Sequence, residues 1–366
     1  MNNHVTFLEI DGKSLKYNLD YFKNKIENDT KILLVVKAFG YGCDAIKIAK
    51  YLENDIDYFA VAYTDEGITL RKAGIKKPIL VFHPQIPNLY LLIAHQLEPT
   101  LYSFKILNAF LEIADSKLLI NYPIHIKLNT GLNRIGFSHN DVPMILSNLT
   151  ANSHVKIASL FSHLAASEDL EEKEFTTNQI NNFAVIVKQF YKHLTYRPLV
   201  HILNTSGVVN YPQAQFDMVR LGIGLYGFGN DKKETNQLKN VVSLKSIISQ
   251  IHTIQPGESI GYNRAFTSNK LMRTATVPIG HADGISRKLG NTNHTVMVNG
   301  KKAPIIGNVC MDMIMIDVTN IDCNETDEVI IFNSQEMLLE MATKAETISY
   351  EILTGFSNRI KRLLKY

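Results

Sequence analysis

An α/β fold, a (β/α)8 barrel of the TIM type followed by a smaller, mainly antiparallel β domain, is what this sequence predicts, on three observations. Up to about residue 235, short apolar runs alternate eight times with stretches of helical periodicity. Beyond that point the long helical intervals stop and β-rich segments follow closely on one another. No GxGxxG follows the first apolar run, which argues against an open doubly wound sheet.

The apolar runs place barrel strands at residues 32–37, 58–63, 79–83, 99–102, 124–129, 156–162, 199–202 and 218–221. Runs this short and continuous suit strands buried on both faces. Between them, spacings such as Leu15-Leu19-Phe22-Ile26 give each helix one apolar face. Residues 228–237 are polar and contain glycine, so the expected division is a barrel over 1–235 and a β domain over 236–366. In the second part, strands are expected within 241–254, 273–279, 295–300, 313–318 and 328–332. Asn299-Gly300 signals a hairpin there, and a short helix is expected over 335–344.

Bulk properties exclude several kinds of protein. With 366 residues, 45% of them hydrophobic, the chain can bury one large core and a second, smaller one. A formal charge of +3, spread evenly, does not suit a nucleic-acid or anionic-membrane partner. The cysteines Cys43, Cys310 and Cys323 are odd in number and irregular in spacing, which suggests neither a disulfide framework nor a metal site. The amino terminus lacks the basic-then-apolar pattern of a signal peptide, and no run approaches the roughly 18 apolar residues that span a bilayer, so the cytoplasm is expected.

Lys37 carries the first chemical signal. It ends the run Ile32-Leu33-Leu34-Val35-Val36, at the mouth of a strand, and Ala38-Phe39-Gly40-Tyr41-Gly42 follows at once. An amine there loses hydration, which favours the neutral form that attacks an aldehyde. The plainer alternative is a lysine snorkelling to solvent. Glycines let the backbone approach a ligand, and the Tyr41 phenol can reach a phosphate. Arg220, before Leu221-Gly222-Ile223-Gly224, and Asn204-Thr205-Ser206 end the eighth and seventh candidate strands, where barrels commonly bind phosphate. Gly222 and Ile223 are phosphate candidates, although the glycines could equally only turn the chain. His163 closes the sixth strand, and Lys127, Asn129 and Arg134 follow the fifth, where two cations and an amide suit a substrate carboxylate or a merely solvated loop. Tyr262 lies in the β domain, where a tyrosine is ordinarily packing.

The segments VVKAFGYG, KLNTGLNRIGF, FSHLAASED, HILNTSGVV, VRLGIGLYG, SIGYNRAF, VPIGHADGIS and GNVCMDMIMID, in this order across nearly the whole chain, resemble the alanine racemases. The resemblance implies a barrel that binds pyridoxal 5'-phosphate, a β domain and a head-to-tail homodimer with composite active sites. Lys37 would hold the cofactor; Tyr41, Thr205, Gly222 and Ile223 would hold its phosphate, flanked by Asn204 and Ser206. Arg220 would face the pyridine nitrogen, and His163 would lie against the ring and bond Arg220. Lys37 and Tyr262, the latter reaching into the partner's barrel, would be the two bases. Arg134 and the backbone N–H of Met311 would bind the carboxylate of a small amino acid, and Lys127 matches a position that some members carbamylate.

The product would be D-alanine for peptidoglycan. Two departures stand out: His281 replaces a tyrosine that commonly lines the substrate entrance, and Asn358 replaces a phosphate-contacting tyrosine of some members. The alternatives are racemisation of another small amino acid such as serine, a decarboxylase of the same barrel class, and a non-enzymatic binder of the cofactor. Arg220 argues against the decarboxylase, whose relatives place an acid at the ring nitrogen. A mere binder would leave residues 236–366 without a purpose.

Overall fold

The computed structural model describes residues 5–150 and 154–366. The first strand, β1 (Phe7–Asp11), leads into a helix over Gly12–Lys23 whose Leu15, Leu19 and Phe22 are buried, as their spacing requires. Asp11 caps this helix by accepting the Ser14 N–H at 3.0 Å.

Eight strands then form a parallel sheet: β2 (Lys31–Val35), β3 (Tyr58–Val61), β4 (Ile79–Val81), β5 (Glu98–Leu101), β6 (Tyr122–Lys127), β7 (Val155–Phe161), β8 (Leu199–His201) and β9 (Met218–Leu221). The order runs β8-β7-β6-β5-β4-β3-β2-β9. Backbone bonds from Asp217 to Val200 (3.1 Å) and from Arg220 to Leu203 (3.0 Å) join the two ends and close the barrel. Helices cover it; the longest, Lys173–His193, turns Phe183, Ile186, Val187 and Phe190 onto the strands.

The chain from Val242 builds a nine-stranded sheet from β10 (Val242–Ile247), β11 (Gln250–Ile254), β14 (Met272–Val277), β15 (Thr295–Val298), β16 (Lys301–Ile306), β17 (Ile314–Asp317), β18 (Glu328–Phe332), β19 (Lys361–Lys365) and the early strand β1. A separate ribbon pairs β12 (Ser259–Ile260) with β13 (Phe266–Thr267). All pairings in the large sheet are antiparallel except β1 with β19. Both parts of the expected fold are thus present, with one departure from the division at 235. Phe7–Asp11 belongs to the second sheet, because its alternate side chains Leu8 and Ile10 are fully buried and its backbone pairs with β10 on one side and β19 on the other. No helix among the described residues is long and apolar enough to cross a membrane, and no cluster there could hold a metal ion.

Candidate active site

Lys37 stands at the mouth of the barrel immediately after β2, where the backbone turns left-handed. Ala38, Phe39, Gly40, Tyr41 and Gly42 all have positive φ, between 51° and 80°. For a residue with a Cβ this costs about 1–2 kcal/mol each, so the turn must be held from outside. Three contacts hold it. Glu66 accepts the Ala38 N–H at 2.7 Å, Tyr226 donates its hydroxyl to the Gly40 carbonyl at 2.7 Å, and Arg362 donates to the Gly42 carbonyl at 2.9 Å. Gly42 also lies so close to Leu353 that a Cβ there would fall 2.0 Å from its carbonyl oxygen. The second domain therefore braces the lysine turn directly.

Lys37 keeps solvent contact through the mouth, so its desolvation is partial. That desolvation, followed by the Arg134 charge, lowers the pKa of its amine against an opposing pull from Glu66. Lys127 is buried at the end of β6 with its Nζ 5.0 Å from the centre of the Phe161 ring; burial first, then Arg220 and Arg134, bring its pKa well below the usual lysine range. Arg134 is exposed on the following loop. Asn129 is tied into the same loop. Its side-chain oxygen accepts the Gly131 and Asn133 N–H groups and its amide donates to Asn133, so its polar atoms shape the loop.

Arg220 is the most constrained cation of the site. Its Nη1 donates to His201 Nδ1 at 2.7 Å, and its Nη2 donates to the carbonyls of Ser162 (2.9 Å) and Ile202 (2.7 Å) and to His163 Nδ1 (3.0 Å). Burial brings the guanidinium down to about 9, which leaves it a cation at neutral pH. Burial and then Arg220 press the His163 pKa well down, so His163 is neutral and accepts through Nδ1. Arg220 Nε has no partner among the described residues and is the donor left for a ligand.

An anion cradle lies across the ends of β8 and β9. Among the described residues, the N–H groups of Thr205, Ser206 and Ile223 make no hydrogen bond, while the Gly222 N–H donates to Thr205 Oγ1 at 3.1 Å. Asn204 caps the short helix Thr205–Asn210 by accepting the Gly207 N–H, and its oxygen also accepts from Ser167. Tyr41 reaches into this corner. A Cβ on Gly222 would fall 2.3 Å from the Tyr41 hydroxyl, so only glycine leaves the phenol room. Unbonded N–H groups beside a phenol fit a phosphate, and Arg220 Nε fits an unprotonated ring nitrogen.

Tyr262 and Met311 stand elsewhere. Tyr262 is 72% exposed on a turn of the β domain and Met311 58% exposed on another. No hydrogen bond, ion pair or ring contact joins either to Lys37, Arg134 or Arg220 among the described residues. Among the described residues the Met311 N–H makes no hydrogen bond, while its carbonyl accepts from Ala282 at 2.9 Å. His281 and Asn358 are both exposed near these turns, and Arg359 bridges Asp283 and Asp312 at 2.6 Å each.

A closed parallel barrel that presents a strand-end amine, a neighbouring anion cradle and a buried guanidinium defines a barrel enzyme whose chemistry centres on a lysine. Family models make the class specific: that of the alanine racemase N-terminal domain matches residues 10–229, and that of the C-terminal domain matches 241–364. The chain belongs to the alanine racemase family and is an isomerase. The alanine racemase of Halothermothrix orenii is 35% identical over 377 residues, covering 100% of this chain and 99% of that protein. The solved alanine racemase of Clostridium difficile has a TM-score of 0.94 at 32% identity, covering 100% and 97% of the two chains. That of Bartonella henselae, solved with covalently bound pyridoxal phosphate, has a TM-score of 0.88 at 28% identity, covering 99% and 100%.

Sequence reasoning missed the residues that support the site. Glu66 and Arg362 lie in no motif, and His201 and Tyr226 lie in the segments HILNTSGVV and VRLGIGLYG without a role of their own, because these roles exist only once distant strands are adjacent. Glu66 alone left a trace, as the third residue of a helix that begins at Thr64.

Proposed function

We propose that the chain interconverts L-alanine and D-alanine with pyridoxal 5'-phosphate held on Lys37, as a cytoplasmic homodimer whose product enters peptidoglycan. One observation carries the reading: the lowered amine of Lys37 shares the mouth with a cradle of unbonded N–H groups and the free Nε of Arg220. When bound, the cofactor supplies an electron sink that acidifies the α C–H bond of an amino acid joined to it.

The protein's part is to bind, orient and move protons. Tyr41, Thr205, Ser206, Gly222 and Ile223 hold the phosphate, with Asn204 capping the helix that presents two of the N–H groups. Arg220, a cation with no proton to spare at neutral pH, donates through Nε and keeps the ring nitrogen unprotonated. Neutral His163 lies beside it without adding charge. Arg134 and the Met311 N–H of a second copy bind the carboxylate. Lys37 serves one face of the α carbon as base, and Tyr262 of the second copy serves the other. The exposure of Tyr262 and Met311 in one chain supports their use by a partner. Lys127, whose pKa burial and then Arg220 and Arg134 bring well down, is suited to take up carbon dioxide as the free amine and so become an anion that orients Arg134.

Lys37→Ala tests the reading. It should abolish alanine racemisation and the absorbance of lysine-bound cofactor together, measured with a panel of L-amino acids on the parent protein. A borohydride-reducible adduct at another lysine would overturn the assignment, and faster turnover of L-serine than L-alanine would overturn the substrate.

A further inference from the structure

A continuous hydrogen-bonded chain leaves Arg220 on the side away from the anion cradle and descends through the barrel interior. Arg220 Nη1 meets His201 Nδ1 at 2.7 Å; His201 Nε2 meets Ser159 Oγ at 3.0 Å; Ser159 Oγ meets His125 Nδ1 at 2.6 Å; His125 Nε2 meets Glu98 Oε2 at 2.7 Å. The five residues sit on five successive strands, β9, β8, β7, β6 and β5. They drop from the mouth to Glu98, the first residue of β5, at the opposite end. All five are buried, with His201, His125 and Ser159 wholly so.

The proton positions follow from the chemistry of the two ends. A guanidinium only donates, so His201 Nδ1 accepts. His201 is neutral, its pKa pressed well down first by burial and then by Arg220, so its one proton is on Nε2 and points at Ser159. From the other end the Glu98 carboxylate oxygen accepts, so His125 Nε2 donates to it. Ser159 has one hydrogen and no other partner among the described residues; it satisfies both neighbours only by accepting from His201 and donating to His125. Every bond then donates in the same direction, from cation to carboxylate.

We propose that Glu98, His125 and Ser159 are positioning residues that hold His201 as the Nε2–H tautomer, and so hold Arg220 with Nε turned toward the site. The alternative tautomer would set an N–H of His201 against an N–H of Arg220 and push the guanidinium out of register. The proposal rests on the reading of Arg220 as the group that faces the cofactor ring, and it adds three residues that touch neither cofactor nor substrate. Glu98 has further neighbours at the barrel floor. The Tyr58 phenol lies against it, and the charge of Arg71 faces it while Arg71 donates to the carbonyls of Ile75 and Lys77.

Two measurements on the full-length protein as purified test this. Nitrogen-15 NMR of the histidine rings should show His125 and His201 as neutral Nε2–H tautomers. A proton on Nδ1 of either ring, or a doubly protonated His125, overturns the proposal whatever the activity. For the second, Ser159→Ala cuts the chain without changing charge, and Glu98→Gln removes the terminal charge with little change of shape. Each should lower kcat for alanine by about 3- to 30-fold, within the range that coupling in one network allows, with KM within about twofold. The double variant should be no worse than the poorer single one, and Glu98→Gln should leave a mixture of histidine tautomers. Additive losses, or variants that melt earlier yet keep wild-type kcat, would make these residues structural only and overturn the proposal. Should the parent protein show the one-way tautomers but fail to racemise alanine, the functional reading falls and the hydrogen-bonded chain stands.

Discussion

Gly222→Ala offers a quantitative test of the cradle. The new Cβ would meet the Tyr41 hydroxyl at 2.3 Å and its ring carbon Cζ at 3.1 Å. Ordinary contact begins at about 3.5 Å, so the hydroxyl has to retreat by about 1 Å. It has little room: Tyr41 is buried, its ring lies 5.1 Å from Tyr226 and 6.2 Å from Tyr350, and its backbone sits in the left-handed turn. Overpacking of this kind costs about 1–3 kcal/mol. For a barrel of this size that lowers the melting temperature of the cofactor-free protein by roughly 2–4 °C per kcal/mol. Displacing the phenol should also weaken binding of pyridoxal phosphate, followed by its absorbance during dialysis. Tyr41→Phe in the same chain removes the offending oxygen and should recover most of the lost thermal stability while leaving cofactor binding weak. An unchanged melting temperature for Gly222→Ala, or a double variant as unstable as the single one, would refute the geometry.

Three further outcomes are expected. Lys37→Ala and Tyr262→Phe homodimers should each be nearly inactive, and exchanging subunits at equal amounts should restore roughly a quarter of wild-type sites, since half the dimers then hold one intact composite site; confirmed exchange without recovered activity would place Tyr262 outside the partner's site. Arg220→Glu should let the ring nitrogen keep a proton, slow racemisation and raise transamination side product, read by pyruvate release; normal racemisation without side product would remove Arg220 from the ring. Because desolvation and then Arg134 lower the Lys37 pKa, the amine loses its proton below the ordinary lysine value of 10.5 and becomes reactive at lower pH. The pH midpoint for adduct formation with pyridoxal phosphate should lie below 10.5 and rise in Arg134→Gln, and a midpoint unmoved by that change would contradict the coupling.

The eight barrel strands could be read from sequence because each is a short apolar run set off by turn residues. Leu8 and Ile10 gave a weaker signal, an alternation over only five residues whose partners lie more than two hundred positions away. β19, KRLLK, is too charged to announce itself as a strand. At the site, Lys37, Arg220 and the glycines at 222 and 224 were readable because strand ends and phosphate cradles impose residue types locally. His125 and Glu98 were not, since a buried polar residue in an apolar run looks the same whether its partner is a neighbouring strand or solvent. Asn129 was ambiguous for the opposite reason: an amide in a polar loop suggests a ligand, and only the folded loop shows its oxygen already accepting two N–H groups.

The placement of β1 between β10 and β19 bears on how the chain is made. Phe7–Asp11 leaves the ribosome before any barrel strand, yet its two partners are Val242–Ile247 and Lys361–Lys365, which follow far later in the chain. Until Val242–Ile247 has emerged this strand has an open edge on both sides, and the edge that faces β19 stays open until Lys361–Lys365 follows. The Gly12–Lys23 helix that follows it can dock on the growing barrel, so the nascent chain is anchored next to a strand that has nothing to pair with. Completion of the second sheet is therefore a late, long-range closure that couples Phe7–Asp11 to Lys361–Lys365. The same step delivers Arg362, one residue into β19, to the Gly42 carbonyl, so the lysine turn receives this brace only after β19 has been made.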